Sequence, residues 1–181
     1  VELWQSWGIQ PDVVFGHGLG QYAAACVAGV MTWEDGLRLV ALRGRLTDEH
    51  GAADRLSSQS DVGQSDAGGK QHSGVGAGDR NVATLTPAVL DEFEQFADTI
   101  DYFPADRPLI CSLSGKVVPV HRLLGGSYWK RHLTEPAELA KSFGTLAEQG
   151  CSLVLEVGPG STLADTAASN WSNPSSAPLP Q

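Results

Sequence analysis

The chain has 181 residues, of which 41% are apolar, and it carries a formal net charge of −9 at pH 7. This length and composition predict one folded domain with a core of its own. The acidic excess argues against a nucleic-acid partner, because binding phosphates requires a basic surface. No apolar run approaches the roughly 20 residues that a membrane-spanning helix needs, so no membrane partner is expected.

The three cysteines, Cys26, Cys111 and Cys151, are widely spaced in apolar stretches of sequence. This setting favours buried free thiols and a reducing, cytoplasmic location. The chain contains no CxxC pair and no close pair of histidines, so neither a metal site nor a cofactor is expected. The sequence begins at Val1 without a methionine or a signal peptide, and we expect it to be a piece of something longer.

The first 50 residues alternate between helix and strand. A short opening helix is followed by an apolar run at 12–15 with turn residues on both sides, which is typical of a buried strand. A glycine-rich turn at 16–20 then leads into an alanine-rich helix over 19–30. Thr32 is predicted to cap the next helix, with Asp35 three positions later completing a weak capping box.

The composition changes after residue 50. The segment 51–81 is rich in Gly, Ser, Asp and Gln, and its apolar anchors beyond alanine are Leu56, Val62 and Val75. Such a stretch buries too little surface to offset roughly 1–2 kcal/mol of backbone entropy per residue. It is predicted to be a disordered linker between the two parts of one domain, 1–50 and 82–171, and the tail 172–181 is also predicted to be disordered.

Regular structure resumes at Thr86, which is predicted to cap a helix that has Pro87 at its first position. The elements predicted after it are a helix to residue 100, strands at 109–113 and 116–120, helices at 127–133 and 136–149, a strand at 152–157 and a helix at 161–169. Strands alternating with helices predict an α/β fold with parallel strands. The runs 12–15, 109–113 and 152–157 are expected to share one sheet.

The strand, glycine-rich turn and helix at 12–30 admit two functional interpretations. A dinucleotide-binding loop requires glycine at the first, third and sixth positions, and the sixth position here is Gln21. A nucleophile elbow, G-x-S-x-G, fits Gly16 and Gly20, and the amide of Leu19 would help to hold an oxyanion. The nucleophile position is occupied by Gly18, however, so a plain tight turn also remains an alternative.

Residues 1–46 resemble the segment around G-H-S-x-G-E-Y-A-A in the acyltransferase domains of polyketide and fatty acid synthases, with Gly18 for Ser and Gln21 for Glu. The segments LDEFEQFADTI, PLICSLSGKVV, SYWKRHLTEPAELAKSFGTLAEQG and LVLEVGPGSTL resemble that family's C-terminal half in order. The resemblance implies the parallel-sheet large subdomain of the hydrolase-like acyltransferase fold. The family's small ferredoxin-like subdomain would be missing, or replaced by the linker 51–81.

The resemblance also implies roles for individual residues. Arg43 matches the arginine that binds the free carboxylate of the substrate, which a guanidinium can clamp with two hydrogen bonds, and its alternative is a solvated helix residue. His17 is implied to support substrate binding, with a packing role as the alternative. The family's general base falls near Val82, and no histidine lies between His72 and His121.

The implied ancestral activity is transfer of a malonyl-type acyl group from coenzyme A to an acyl carrier protein. Because Gly18 carries no nucleophile and the base is absent, the chain is predicted to be catalytically inactive. Expected partners are acyl-CoA, an acyl carrier protein and other domains of a longer synthase polypeptide. The alternative is a non-catalytic docking module that binds a carrier protein or a synthase partner.

Overall fold

A computed structural model describes residues 2–58, 85–158, 163–164 and 166–167. In chain order, the helices and strands are α1 (Glu2–Ser6), β1 (Val14–Phe15), α2 (Gly20–Val27), α3 (Trp33–Ser58), α4 (Pro87–Ala97), β2 (Leu109–Cys111), β3 (Lys116–Val117), α5 (Gly126–Thr134) and α6 (Leu139–Glu148). No helix in these ranges combines the length and apolarity needed to cross a membrane.

The three strands form one sheet in the order β1-β2-β3. β1 pairs in parallel with β2, which places Val14 opposite Leu109. β3 returns antiparallel to β2, with Ile110 opposite Val117. The α/β class, the shared sheet of the first two strands and the hairpin partner are therefore confirmed. Because β1 and β2 are parallel, their carboxyl ends meet at one edge of the sheet, where the glycine-rich turn lies.

The sheet buries both of its faces. Side chains alternate along a strand, so Leu109 joins the larger core formed with α2, α3, α4 and α5, whereas Ile110 joins a smaller core with Phe143 and Leu146 of α6. Thr32 caps the start of α3 as predicted, since the Asp35 N–H donates to Thr32 Oγ1 at 3.1 Å, and the Thr32 hydroxyl in turn donates to the Asp35 carboxylate at 2.7 Å.

The strand predicted at 152–157 is not formed. This segment has no regular secondary structure, and Leu153 and Val157 are 79% and 74% exposed. A strand needs a neighbour to pair its backbone groups. Among the described residues, no segment pairs with the outer edge of β1. The apolar pattern of 152–157 alone is therefore insufficient to build a strand.

The predicted linker begins too early. α3 continues to Ser58 and so includes the first part of the 51–81 segment. Ala52, Ala53, Arg55 and Leu56 have high helix propensities, and extending an existing helix is far easier than nucleating one. The rest of the predicted linker and the tail 172–181 lie outside the described residues.

Candidate functional site

The elbow connects β1 to α2 through a turn that favours glycine at two positions, for a different reason at each. Gly18 has φ 55°, in the left-handed region that disfavours residues with a side chain. A Cβ on Gly16 would collide with the backbone carbonyl of Gly20. The turn is closed by the Gly20 N–H, which donates to the His17 carbonyl at 2.8 Å, and by the Gln21 N–H, which donates to the Gly18 carbonyl at 3.2 Å.

Leu19 precedes the first residue of α2 at the elbow, and its side chain is 54% exposed. Within the part of the chain that the structure describes, no backbone carbonyl accepts a hydrogen bond from the Leu19 N–H. An N–H at a helix N-terminus is favourable for negative charge because of its orientation and the helix dipole. The use of this amide as an oxyanion donor stays a prediction.

Gln21 fixes the elbow helix to the rest of the domain. Its side chain is fully buried, and its amide donates to the Ile110 carbonyl at 3.2 Å and to the Tyr128 hydroxyl at 3.0 Å. These bonds connect α2 to β2 and α5. Burial raises the pKa of Tyr128, so its phenol remains neutral at working pH.

Arg43 is buried, with 5% of its surface exposed. The alternative of a solvated helix residue is therefore wrong. Its guanidinium carbon lies 5.8 Å from the ring centroid of Tyr22, a cation–π arrangement that joins α3 to the elbow helix. The sequence pattern could not reveal this burial, because the polarity of the α3 residues does not show that α2 packs against them.

Tyr22 lies one position after Gln21 and is 1% exposed. Its ring stacks on Trp129 with centroids 4.3 Å apart. Burial raises the pKa of Tyr22 to about 12, and the positive charge of Arg43 acts in the opposite direction. The hydroxyl therefore keeps its proton and can donate it in a hydrogen bond.

His132 is a site residue that the sequence analysis missed. It lies on α5, is 8% exposed, and meets the Tyr22 ring edge-on at 5.5 Å. The pKa of His132 is lowered to about 3, chiefly by burial, and the charges of Arg43 and His17 act in the same direction. Helical spacing could have found it, because His132 follows buried Tyr128 by one turn on the same face.

The structure thus brings together most of the predicted site residues. His17, Gly18 and Leu19 form the turn, and Arg43 lies against the helix that follows it. Val82, the predicted position of the base, lies outside the described residues.

The cysteines and the acidic groups form no second site in the described ranges. None of the three cysteines forms a disulfide within the described residues, and all three are half-buried. Burial raises the pKa of Cys26 to about 11, with Asp35 acting in the same direction, so this thiol stays protonated at neutral pH. Within the described residues, no group of His, Cys, Asp and Glu side chains is arranged to hold a metal ion.

The comparisons with known proteins agree with this geometry. Residues 1–67 match the family model described as "Acyl transferase domain". The chain is 32% identical over 209 residues to the PKS-NRPS hybrid synthetase ATPKS of Aspergillus niger, covering 92% of this chain and 11% of that protein.

Two solved structures have the same fold. The acyltransferase domain from the second module of the salinomycin polyketide synthase gives a TM-score of 0.68 at 24% identity, covering 94% of this chain and 49% of that one. A malonyl-transacylase solved in complex with its type II polyketide synthase acyl-carrier protein gives a TM-score of 0.60 at 19% identity, covering 92% and 68%.

The chain therefore spans about half of the salinomycin domain and about a tenth of the Aspergillus synthetase. The family match begins at residue 1 and includes the elbow and Arg43, and the relatives extend the similarity through the second half of the chain. The sequence relative and the solved structure both match more than nine-tenths of this chain. The chain belongs to the acyltransferase domain family of polyketide synthases.

Proposed function

We propose that this chain derives from a domain that transferred a malonyl-type acyl group from coenzyme A to an acyl carrier protein, and that it is catalytically silent as it stands. The observation that carries the proposal is Gly18 with φ 55° at the apex of an otherwise complete elbow. A strained strand-to-helix turn is the setting that exposes a nucleophilic serine in this type of site. Here the turn is present and the reacting oxygen is absent.

The surrounding groups support this proposal. In the ancestral reaction a serine oxygen would attack the thioester carbonyl, coenzyme A would leave as its thiol, and the thiol of the carrier protein would then take the acyl group. The Leu19 amide would hold the oxyanion in both steps. The Arg43 guanidinium would bind the free carboxylate of the acyl group.

Intact-mass spectrometry after incubation with malonyl-CoA tests the silent state directly. We expect no mass increase, because a glycine offers no atom that can carry an ester. A malonyl adduct on the unaltered protein would contradict the proposal. Peptide mapping would then identify the nucleophile that accepted it.

A docking module is the second candidate. The solvent-exposed apolar side chains of Leu153, Leu155 and Val157 support a surface that another synthase domain covers. Calorimetric titration with an acyl carrier protein of a polyketide synthase tests this candidate. Binding that persists after Gly18 is replaced would favour docking as the present role, and no heat of binding would argue against it.

A further inference from the structure

One stretch of this acidic chain is basic. Between Asp106 and Glu135 the sequence has five Lys and Arg residues and no Asp or Glu, although the whole chain has 12 basic and 21 acidic residues. The stretch includes β2, β3, the turn that follows and α5. Charge that is segregated in this way produces a local positive potential, which attracts a negatively charged partner.

Ion pairs within the domain account for three of the five basic residues. Lys130 contacts two carboxylates of α4, and Arg107 and Arg131 each pair with a carboxylate of their own segment. The pair made by Arg131 is exposed to solvent on both sides, so it contributes little and can be exchanged for another partner. In the ranges that the structure describes, neither Lys116 nor Arg122 forms a salt bridge.

Arg122 and Arg131 line the same small cleft. It has a volume of about 90 Å³, which is space for one apolar side chain, and its other lining residues include Leu113, Val117, Leu124 and Tyr128. Both arginines are exposed, so their charges lie at the mouth of an apolar cleft.

Exposed apolar side chains continue this surface outside the cleft. Arg122 ends a tight turn, in which its N–H donates to the Pro119 carbonyl at 2.8 Å. Val120 and Leu123, on either side of it in this part of the chain, are 66% and 53% exposed. Apolar and basic side chains therefore alternate along the turn, next to a cleft of the same mixed character.

This combination favours a protein segment over a small anion. Phosphate could pair with the arginines, but it would leave the cleft, Val120 and Leu123 in contact with water. An extended peptide places successive residues about 3.3 Å apart, so one apolar residue can enter the cleft while carboxylates on both sides of it reach the guanidiniums. An apolar centre with a charged rim is the usual arrangement of a protein interface.

We propose that the cleft and the turn beside it, a surface defined by Val120, Arg122, Leu123 and Arg131, dock an acidic segment of another protein, which inserts one apolar side chain between the two arginines. This inference goes beyond the proposed function, because it does not depend on whether the elbow ever carried a nucleophile. It assigns to the chain a protein-binding surface selected by charge complementarity.

NMR titration of the full chain with the end-capped peptide Glu-Asp-Leu-Asp-Glu tests the proposal. We expect amide shifts confined to 113–131. Binding should weaken as the salt concentration rises from about 0.05 to 0.3 M, because exposed ion pairs are screened. The peptide Glu-Asp-Ser-Asp-Glu should bind about 10-fold more weakly, because the cleft then receives no apolar side chain.

A pair of charge reversals separates this surface from unspecific attraction. Arg122→Glu should weaken binding of the leucine peptide by about 5-fold, because it removes one exposed ion pair and adds a repulsion. Its melting temperature should equal that of the unaltered chain, since Arg122 forms no salt bridge in the described ranges. Arg38→Glu is the matched control, because Arg38 is an exposed arginine on α3, and it should leave binding unchanged.

Several results would overturn the proposal. They are no binding at millimolar peptide, equal losses in the two variants, and the same shifts produced by pyrophosphate, which would make the surface a site for small anions. Self-association at low salt that Arg122→Glu abolishes would mean that a second copy of this chain covers the surface in place of another protein. None of these results affects the proposed function, which mass spectrometry with malonyl-CoA tests separately.

Discussion

Gly16 and Gly18 have different physical reasons for being glycine. Gly16 has no room for a side chain, because a Cβ there would meet the carbonyl of Gly20. Gly18 is set apart by its backbone, whose φ of 55° costs a residue with a side chain about 1–2 kcal/mol. In an active elbow that strain is accepted because it exposes the nucleophile. In this chain the same backbone geometry is retained at a glycine, which adopts it without strain, and the nucleophile is absent.

The close approach at Gly16 predicts that adding a side chain destabilises the protein at Gly16 but not at Gly20. Gly16→Ala should lower the free energy of unfolding by about 3 kcal/mol, because the backbone must shift to remove the overlap. Gly20→Ala is the matched control, since a Cβ there meets nothing within 4 Å at the first residue of α2. Urea unfolding of both variants measures the difference, and equal midpoints would contradict the described turn.

Restoring the serine should not restore acyl transfer. We expect Gly18→Ser to remain unlabelled by malonyl-CoA, because a hydroxyl needs a base within hydrogen-bond reach, and such a base typically contributes about 10²–10⁴-fold. His132 is a poor base, because its pKa of about 3 gives it little affinity for a proton. Intact-mass spectrometry measures labelling, with Gly44→Ser as the control because Gly44 has open space around it. Rapid labelling at residue 18 would show that an effective base is present.

At the scale of secondary-structure elements, the position of α2 depends on Gln21. Its side-chain amide donates to the carbonyl of Ile110 in β2 and to the hydroxyl of Tyr128 in α5, so one residue connects the elbow helix to the sheet and to a second helix. The Tyr22–Trp129 stack joins α2 to α5 beside these bonds. Together these contacts join the elbow helix to β2 and α5.

The family's glutamate should be unfavourable at this position. Gln21→Glu replaces a donor with a carboxylate that faces the Ile110 carbonyl, so we expect a loss of about 2–3 kcal/mol at pH 7. The loss should shrink as the pH falls and the carboxyl group becomes protonated. Chemical denaturation at pH 7 and pH 5 measures both effects. Gln95→Glu, the same change on an exposed face of α4, should have little effect, and equal losses in the two variants would exclude a special role for Gln21.

At the scale of the whole molecule, two cores lie on opposite faces of a small sheet. The larger core surrounds Tyr22, Trp129 and His132, and the smaller one lies beneath α6 around Ile110 and Phe143. Because His132 is buried in its neutral form, the stability of the larger core depends on pH. The folded-state pKa of about 3 lies below the ordinary histidine value of 6.5, so the folded state binds this proton less readily than the unfolded chain.

Stability should therefore fall as the pH decreases from about 6.5 towards 3. The contribution of His132 is fully present above the unfolded-state pKa, and it should diminish by about 2 kcal/mol between pH 7 and pH 5. His132→Phe should remove this part of the acid sensitivity. His121→Gln, at an exposed turn, should keep the full sensitivity. Urea unfolding at a series of pH values measures the slope, and identical slopes in the parent chain and His132→Phe would contradict the described burial.

Local patterns were sufficient to predict much of the fold and of the elbow. The capping pair Thr32 and Asp35, the run before Gly16, and the α/β class could all be recognised from neighbouring residues, because caps, turns and hydrophobic periodicity are local in the chain. The helical extension to Ser58 was missed because the prediction of a linker gave more weight to the polar composition of 51–81 than to the helix propensity of its first residues.

The surroundings of a side chain are set by elements that are distant in sequence. Only the tertiary structure therefore decided them. Arg43 is buried because α2 packs against α3, and His132 joins the site because α5 presents its aromatic face to the elbow helix. The strand pattern at 152–157 did not become a strand, because pairing depends on a neighbour and not on the segment itself. The sequence by itself determined the elbow and its missing nucleophile, since a tight turn is specified by its own glycines. Tertiary packing decided which buried donors surround that elbow, because burial and pKa depend on what packs nearby.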